Sequence, residues 1–314
     1  MKHFALIGAA GYIAPRHMKA IRDTGNSLVA ALDPNDSVGI IDSFFPNASF
    51  FTEFERFDRH VYKLSRQPNE LPVDFISICS PNYLHDSHIR FALRSNADAI
   101  CEKPIVLNHW NIDALKSVEN DTGKNVYTIL QLRLHPAIIA LKNEINSSYS
   151  NTKFDVNLTY ITARGNWYFN SWKGDENKSG GIAANIGIHF FDMLHFLFGK
   201  IQQNKLHYRD QFRTGGFLEF ERARVLWFLS VNGEDLPLSI KMQNERSYRS
   251  LVFNGKEIEF SENFTDLHTV AYREILRNKG FGLEENRTGI EITGNIRVQN
   301  PAGLMGEYHS YLKK

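Results

Sequence analysis

Residues 98–107, DAICEKPIVL, place an acid, a base and a proline at the mouth of an apolar run. Lysine and glutamate are among the residues least often buried. Glu102 and Lys103 are therefore expected at a strand end, outside the sheet that holds Ala99, Ile100 and Cys101. A lysine in that position either stays solvated with its ordinary pKa or, desolvated beside a ring and a substrate, loses proton affinity and takes part in chemistry. Pro104 fixes the local turn, a cis bond being one way to do so.

A second set of residues suits a dinucleotide. Gly8, Gly11 and Ala14 lie between the first apolar run and the first helical one, spaced G-x2-G-x2-A rather than G-x-G-x-x-G. The backbone N–H groups of such a turn, with Tyr12 and Ile13 leading into the helix, can meet a pyrophosphate at the helix's positive end. Asp33 closes the second apolar run 22 residues after Gly11, where an acid takes ribose hydroxyls. Pro34 and Asn35 follow it with no arginine to receive a 2′-phosphate, so the reading is NAD rather than NADP. Ser80, Asn82 and His85 in SPNYLH, and Gln131 with Arg133, occupy further strand ends. In an open parallel sheet ligands bind beyond the carboxyl ends of the strands. With Glu102 and Lys103, these residues make up the expected cofactor crevice.

The second half of the chain holds two more chemical stretches. RGNWYFNSWKGDENKSGG sets Arg164, Lys173 and Lys178 among Asn166, Trp167, Tyr168 and Trp172, cations for anionic groups and aromatic faces for rings. An ordinary exposed loop has the same composition. Asn185 and His189 are four residues apart and share a helical face, and an imidazole titrates near neutrality. In surroundings as apolar as GIHFF, a hydrogen-bonded core histidine is the competing reading. His189, Asp192 and His195 are spread around a helix, unlike the i, i+4 pair of zinc helices, so no metal is expected. FTDLHTVAYREIL opens a helix with Thr265 as N-cap, and Asp266 and His268 are either capping or substrate-side groups.

The elements that must position these groups fall into two patterns. HFALIG, LVAALD, VDFISICS, DAIC and VYTILQL read as near-continuous apolar strands, with helices over 15–25, 85–96 and 108–123. That alternation means a parallel, doubly wound sheet covered on both faces. Beyond residue 150, FDVNLTYIT alternates, LEFERARVLWFLSV follows Gly215 and Gly216, and LVFNGKEIEF carries the Asn254–Gly255 turn signal. There an α+β domain with a large open, mainly antiparallel sheet is expected, with helices near 182–198 and 265–279. The fold class is α/β, as two domains over 1–122 and 123–314 with a soft boundary.

Composition narrows the setting. Thirty-six basic against 35 acidic residues leave no global field for nucleic acid or an anionic membrane, so anions must be held by local cations. The opening segment, MKHFALIGAAGYIAPRH, is too briefly apolar to span a membrane, and a cytoplasmic protein is expected. Two cysteines, Cys79 and Cys101, lie in apolar runs and read as small hydrophobes.

Over essentially its whole length the chain resembles the Gfo/Idh/MocA oxidoreductases, through GAAGYIAPRHMKAI, SICSPNYLH, ICEKP, RGNWYFNSWKGD, FTDLHT and GGIAANIGIHFFDMLHFLFG. Its likeness is nearest to bacterial dehydrogenases that oxidise C3 of UDP-N-acetyl-glucosaminuronic acid. The resemblance implies a Rossmann domain and a second domain whose open sheet shields the active site and builds an oligomer, a tetramer. It implies NAD as cofactor, Lys103 as the EKP lysine and His189 as the histidine of the second domain's helix. Asn185 stands where most members carry an aspartate, and an amide cannot share general-base work. His189 would take the hydroxyl proton and Lys103 hold the same oxygen, with exchange of the two roles left open. The pathway implied makes di-N-acetylated mannosaminuronic acid for lipopolysaccharide O-antigen, with NADH reoxidised by 2-oxoglutarate in some relatives. A dehydrogenase of a free sugar or inositol, or a non-catalytic NAD-binding sensor, are the alternatives.

Overall fold

The computed structural model describes residues 1–66, 72–148, 152–258 and 266–313. The chain divides into two compact units, Met1–Gln131 with Thr265–Arg287, and Leu132–Phe264 with Thr288–Lys314. In chain order the elements are β1 (His3–Ile7), α1 (Ala14–Asp23), β2 (Ser27–Leu32), β3 (Ser49–Phe51), α2 (Phe54–Arg66), β4 (Phe75–Ile78), α3 (His85–Arg94), β5 (Asp98–Cys101), α4 (Trp110–Thr122) and β6 (Val126–Thr128). Next are α5 (Pro136–Ser147), β7 (Phe154–Thr162), α6 (Asn166–Asn170), α7 (Glu176–Ser179), a π-helical turn (Ala183–Gly187) and α8 (Ile188–Phe198). Last come β8 (Ile201–Arg209), β9 (Arg213–Phe220), β10 (Ala223–Ser230), α9 (Leu238–Met242), β11 (Ser247–Phe253), β12 (Lys256–Glu257), α10 (Leu267–Leu276) and α11 (Leu283–Val298).

In the first unit β1, β4 and most of β2 and β5 are buried on both faces, as parallel strands beneath two helical layers must be. The order is β3-β2-β1-β4-β5-β6 with every pairing parallel. The strand order therefore reverses between β1 and β4, and a crevice forms beyond the carboxyl ends of those two strands. Pro15 sits in the first turn of α1, where its missing N–H costs nothing. The VYTILQL run leaves the sheet earlier than expected: β6 ends at Thr128 and Gln131–Leu134 is a 3-10 turn.

The second unit is built on a sheet of order β12-β11-β7-β10-β9-β8. Only β7 and β10 run parallel, and the other neighbours are antiparallel. Asn254 and Gly255, both at positive φ, make the tight turn between β11 and β12. One face packs on α5 and α8 through Phe191, Met193, Leu194, Phe198, Val225 and Trp227. The residues Glu176–Phe198 are apolar enough to cross a membrane by composition, but 67% of that window is buried in the structure.

Two observations shift the boundary expected at residues 122 and 123. Strand β6 pairs with β5 and so completes the first sheet. Helix α10, far downstream, packs on α1 within the first unit. Residue Thr265, expected as the N-cap of α10, lies outside the described residues; Asp266 precedes the helix and its side chain makes no capping bond.

Candidate active site

On the first unit the candidate residues gather at the switch point. Gly8 has φ +90°, and a Cβ there would lie 2.6 Å from the carbonyl carbon of Cys79 and 2.7 Å from the Ser80 nitrogen. Only glycine lets the β1–α1 turn lie this close to the end of β4. The turn is latched to β2 by Gly8 and Ala9 N–H groups, which donate to the Leu32 carbonyl at 2.8 and 3.2 Å. The Gly11 N–H donates to the Gly8 carbonyl at 3.1 Å, and the Asp33 Oδ2 accepts from the Ala10 N–H at 2.9 Å. The acid read as a ribose ligand is thus joined to the glycine turn itself. Tyr12 is 89% exposed and leaves the turn open, while Ile13 immediately precedes α1. A glycine turn, a ten-residue helix beginning behind it and an acid at the end of β2 fit a dinucleotide.

Ser80, Asn82 and Gln131 are buried at neighbouring strand ends. His85 lies between the carbonyl oxygens of Ser80 at 2.8 Å and Pro104 at 2.7 Å. Its ring therefore ties the SPNYLH turn to the EKP turn instead of facing a cofactor. Burial lowers its pKa against the opposing pull of the two carbonyl oxygens. The Lys103–Pro104 peptide is cis, and Lys103 is half-buried.

Glu102 corrects the sequence reading. Its side chain does not stand in the crevice: the residue is 8% exposed and its Oε1 accepts from His17 Nε2 and His268 Nε2, both at 3.0 Å. His268, expected as a capping or substrate-side group, is 1% exposed and faces this carboxylate, while Asp266 pairs with Lys19 at 3.2 Å. Sequence reasoning missed His17, because a histidine four residues into a helix looks like any other.

On the second unit Arg164, Asn166 and Trp167 are exposed and Trp172 and Lys173 half-buried. The Lys173 ammonium lies 4.3 Å from the centre of the Trp172 ring and 5.9 Å from that of Trp167, and the Arg164 guanidinium 6.0 Å from Trp167. Desolvation and the nearby Arg164 lower the Lys173 pKa. Among the described residues no carboxylate pairs with either cation, an arrangement suited to a multiply charged anion. Lys178, by contrast, lies 3.7 Å from the Asp175 carboxylate. Tyr168 is not a surface residue: it is 2% exposed in the core, and its hydroxyl accepts from Asn185 Nδ2 at 2.9 Å.

Asn185 sits in the π turn that leads into α8, not in regular α-helix as the spacing implied. Gly187 permits this turn to press on β10, since a Cβ would lie 2.5 Å from Leu229 Cδ1. His189 opens α8 and is half-buried. One turn on, Asp192 takes a bidentate bond from Arg133, at 2.9 and 2.7 Å, and His195 Nδ1 lies 2.9 Å from the Gly199 carbonyl. Both neighbours of His189 in the discarded metal reading are engaged in holding the helix.

Comparison with known proteins decides the lineage. Residues 2–129 match the NAD-binding Rossmann fold of the Gfo/Idh/MocA oxidoreductase family, and residues 152–236 match its C-terminal alpha/beta domain. The chain belongs to the Gfo/Idh/MocA oxidoreductase family. Among solved structures of the family, it is 50% identical to the WlbA (WbpB) dehydrogenase from Thermus thermophilus, over 96% of this chain and 97% of that one, with a TM-score of 0.92. That dehydrogenase has been crystallised with NAD and alpha-ketoglutarate, and with NAD and UDP-GlcNAcA. Curated relatives include glucose-6-phosphate 3-dehydrogenase of Bacillus subtilis, 26% identical over 212 residues, 63% of this chain and 54% of that protein. Inositol 2-dehydrogenase of Rhizobium meliloti is 27% identical over 198 residues, 63% of this chain and 55% of that protein. The chain thus spans about half the length of the curated relatives it matches. Its Rossmann unit is the family's NAD-binding fold.

Proposed function

We propose that this oxidoreductase oxidises the C3 hydroxyl of UDP-N-acetyl-glucosaminuronic acid with NAD. The observation that carries the reading is the 50% identity, over 96% of the chain, to a dehydrogenase crystallised with NAD and UDP-GlcNAcA. NAD, when bound, supplies the hydride acceptor. Gly8, Gly11 and the first turn of α1 hold its pyrophosphate, and Asp33 takes ribose hydroxyls, with Ser80, Asn82 and Gln131 nearby at strand ends. The cofactor is unphosphorylated NAD because Pro34 and Asn35, not a cation, follow Asp33.

His189 takes the proton of the C3 hydroxyl, since an imidazole titrates near the working pH. Lys103 holds the same oxygen and stabilises charge developing on it. Asn185, fixed by Tyr168, orients the sugar without titrating. Arg164 and Lys173 receive anionic groups of the substrate, with Trp167 and Trp172 offering apolar faces to rings. The product serves lipopolysaccharide O-antigen synthesis in the cytoplasm, the enzyme is a homotetramer, and 2-oxoglutarate reoxidises NADH. The alpha-ketoglutarate complex of the Thermus protein supports the last of these.

The expected result is NADH formation from the UDP-linked uronate and none from free sugars or inositols, followed by absorbance. Turnover of the free compounds alone would favour the free-sugar dehydrogenases among the relatives.

A further inference from the structure

Five buried polar side chains form a connected network behind the EKP turn. Ser77 Oγ lies 2.7 Å from Tyr272 Oη, which lies 2.7 Å from His17 Nδ1. His17 Nε2 and His268 Nε2 both meet Glu102 Oε1 at 3.0 Å, and Glu102 Oε2 accepts from the backbone N–H of Lys103 at 3.2 Å. One assignment of protons satisfies every contact between these side chains. Ser77 donates to Tyr272, Tyr272 donates to His17 Nδ1, and both imidazoles donate Nε2–H to the carboxylate.

We propose that Glu102 is a positioning residue for Lys103: its ionised carboxylate, gripped on one oxygen by α1 and α10, uses the other to fix the loop that bears Lys103. The inference rests on assigning Lys103 to the substrate hydroxyl. Three donors converge on this one group, and only an ionised carboxylate accepts from all of them without offering a proton. A glutamine would present an NH2 group to at least one N–H. Burial by itself would raise the Glu102 pKa, but the bonds from His17 and His268 outweigh it and hold the carboxyl well below its ordinary range. Burial outweighs the attraction of Glu102 at His17 and lowers that ring's pKa, so the negative charge resides on the glutamate. His268 Nδ1 is buried without a partner among the described residues, which leaves the bond to Glu102 as the polar tie of that ring.

The same three side chains bring ligand-type atoms within 4.8 Å of one another, as a metal site would. The hydrogen-bond reading is preferred because Tyr272 donating to His17 Nδ1 puts the ring proton on Nε2, facing Glu102, and because only three ligand-type groups converge among the described residues. Zinc would sit about 2.0–2.2 Å from each ligand atom and needs an ordered fourth ligand.

Glu102→Gln and Lys103→Met are compared with the parent for kcat, NAD dissociation constant, thermal midpoint and metal content. The expected outcome is a kcat for Glu102→Gln lowered about tenfold to a hundredfold, the cost of misplacing a reacting group. Its NAD affinity stays near that of the parent, while the thermal midpoint falls because a buried N–H loses its acceptor. A kcat that is unchanged, or one that falls only in step with NAD affinity and folded fraction, overturns the inference, as does stoichiometric metal in the purified parent. If Lys103→Met retains the parent rate, the assignment of Lys103 fails and the inference with it. If Lys103→Met is slow while Glu102→Gln is fast, the inference fails alone. Should Glu102→Gln not fold, His268→Leu and His268→Gln decide: Gln keeps a donor at the position of Nε2 and is expected to restore the rate that Leu loses. Equal rates in those two variants overturn the inference.

Discussion

A single methyl group at Gly8 tests the dinucleotide turn. The residue combines positive φ with a Cβ position 2.6–2.7 Å from the Cys79–Ser80 backbone, which cannot swing aside as a side chain could. Gly8→Ala is expected to destabilise the protein by about 1–3 kcal/mol from backbone conformation alone, with the clash added. It should also weaken NAD binding more than tenfold, measured by calorimetric titration and thermal melting; unaltered affinity would mean that the turn does not hold the cofactor. At this scale the sequence is informative where a residue's role follows from its local backbone. That Gly8, Gly11 and Asp33 meet at one turn is legible from spacing, and the structure joins them through the Ala10–Asp33 bond. It is misleading for Glu102. The rule that exposes glutamates is an average, and partners arriving from residues 17 and 268 leave no mark near residue 102.

Among the elements, the apolar parallel strands and the β11–β12 hairpin are legible because burial on two faces and an Asn-Gly turn each have a short-range signature. Helix α2 is not, although Phe54, Phe57, Val61 and Leu64 recur at helical spacing; its many charges mask the stripe. Helix α11 contains Gly289 and Gly294, and β8 reads IQQNKLHYR, so neither shows a strong local preference. The π turn at Ala183–Gly187 depends on the approach of Gly187 to Leu229, a contact with a strand forty residues downstream, and no periodicity in GIAANIGIH announces it. Helix α8, which continues from this turn, is held in place from outside. The buried Arg133–Asp192 pair sits one turn beyond His189, and losing one partner would strand a charge at a cost of about 3–5 kcal/mol. Such a pair contributes less to net stability than to the setting of α8.

For the whole molecule, the two-part organisation is legible from the change in apolar pattern, but the return of residues 266–287 to the first unit is not, because that packing is non-local. Stability of the whole should depend on pH through a half-buried histidine in the first unit and a buried one in the second. His88, beside Ser80 Oγ at 2.8 Å, and His309, beside Thr159 Oγ1 at 3.0 Å, have pKa values lowered by burial from 6.5 to about 4. Their folded forms resist protonation, so the unfolded chain binds more protons between these values. Stability is therefore full above about pH 6.5 and falls towards pH 4, by at most about 1.4 kcal/mol per pH unit for each ring. Thermal midpoints are expected to drop between pH 7 and 5, with a shallower slope in His309→Gln; a flat profile in the parent would contradict the desolvation of both rings. Oxidation at C3 breaks the C3–H bond of the sugar, and isotopic labelling reads that bond directly. UDP-N-acetyl-glucosaminuronic acid deuterated at C3 is mixed with the enzyme and NAD, and the reduced cofactor is analysed by mass spectrometry. Deuterium in the NADH is the predicted result; unlabelled NADH, or NADH labelled only from substrate deuterated at another carbon, would contradict it.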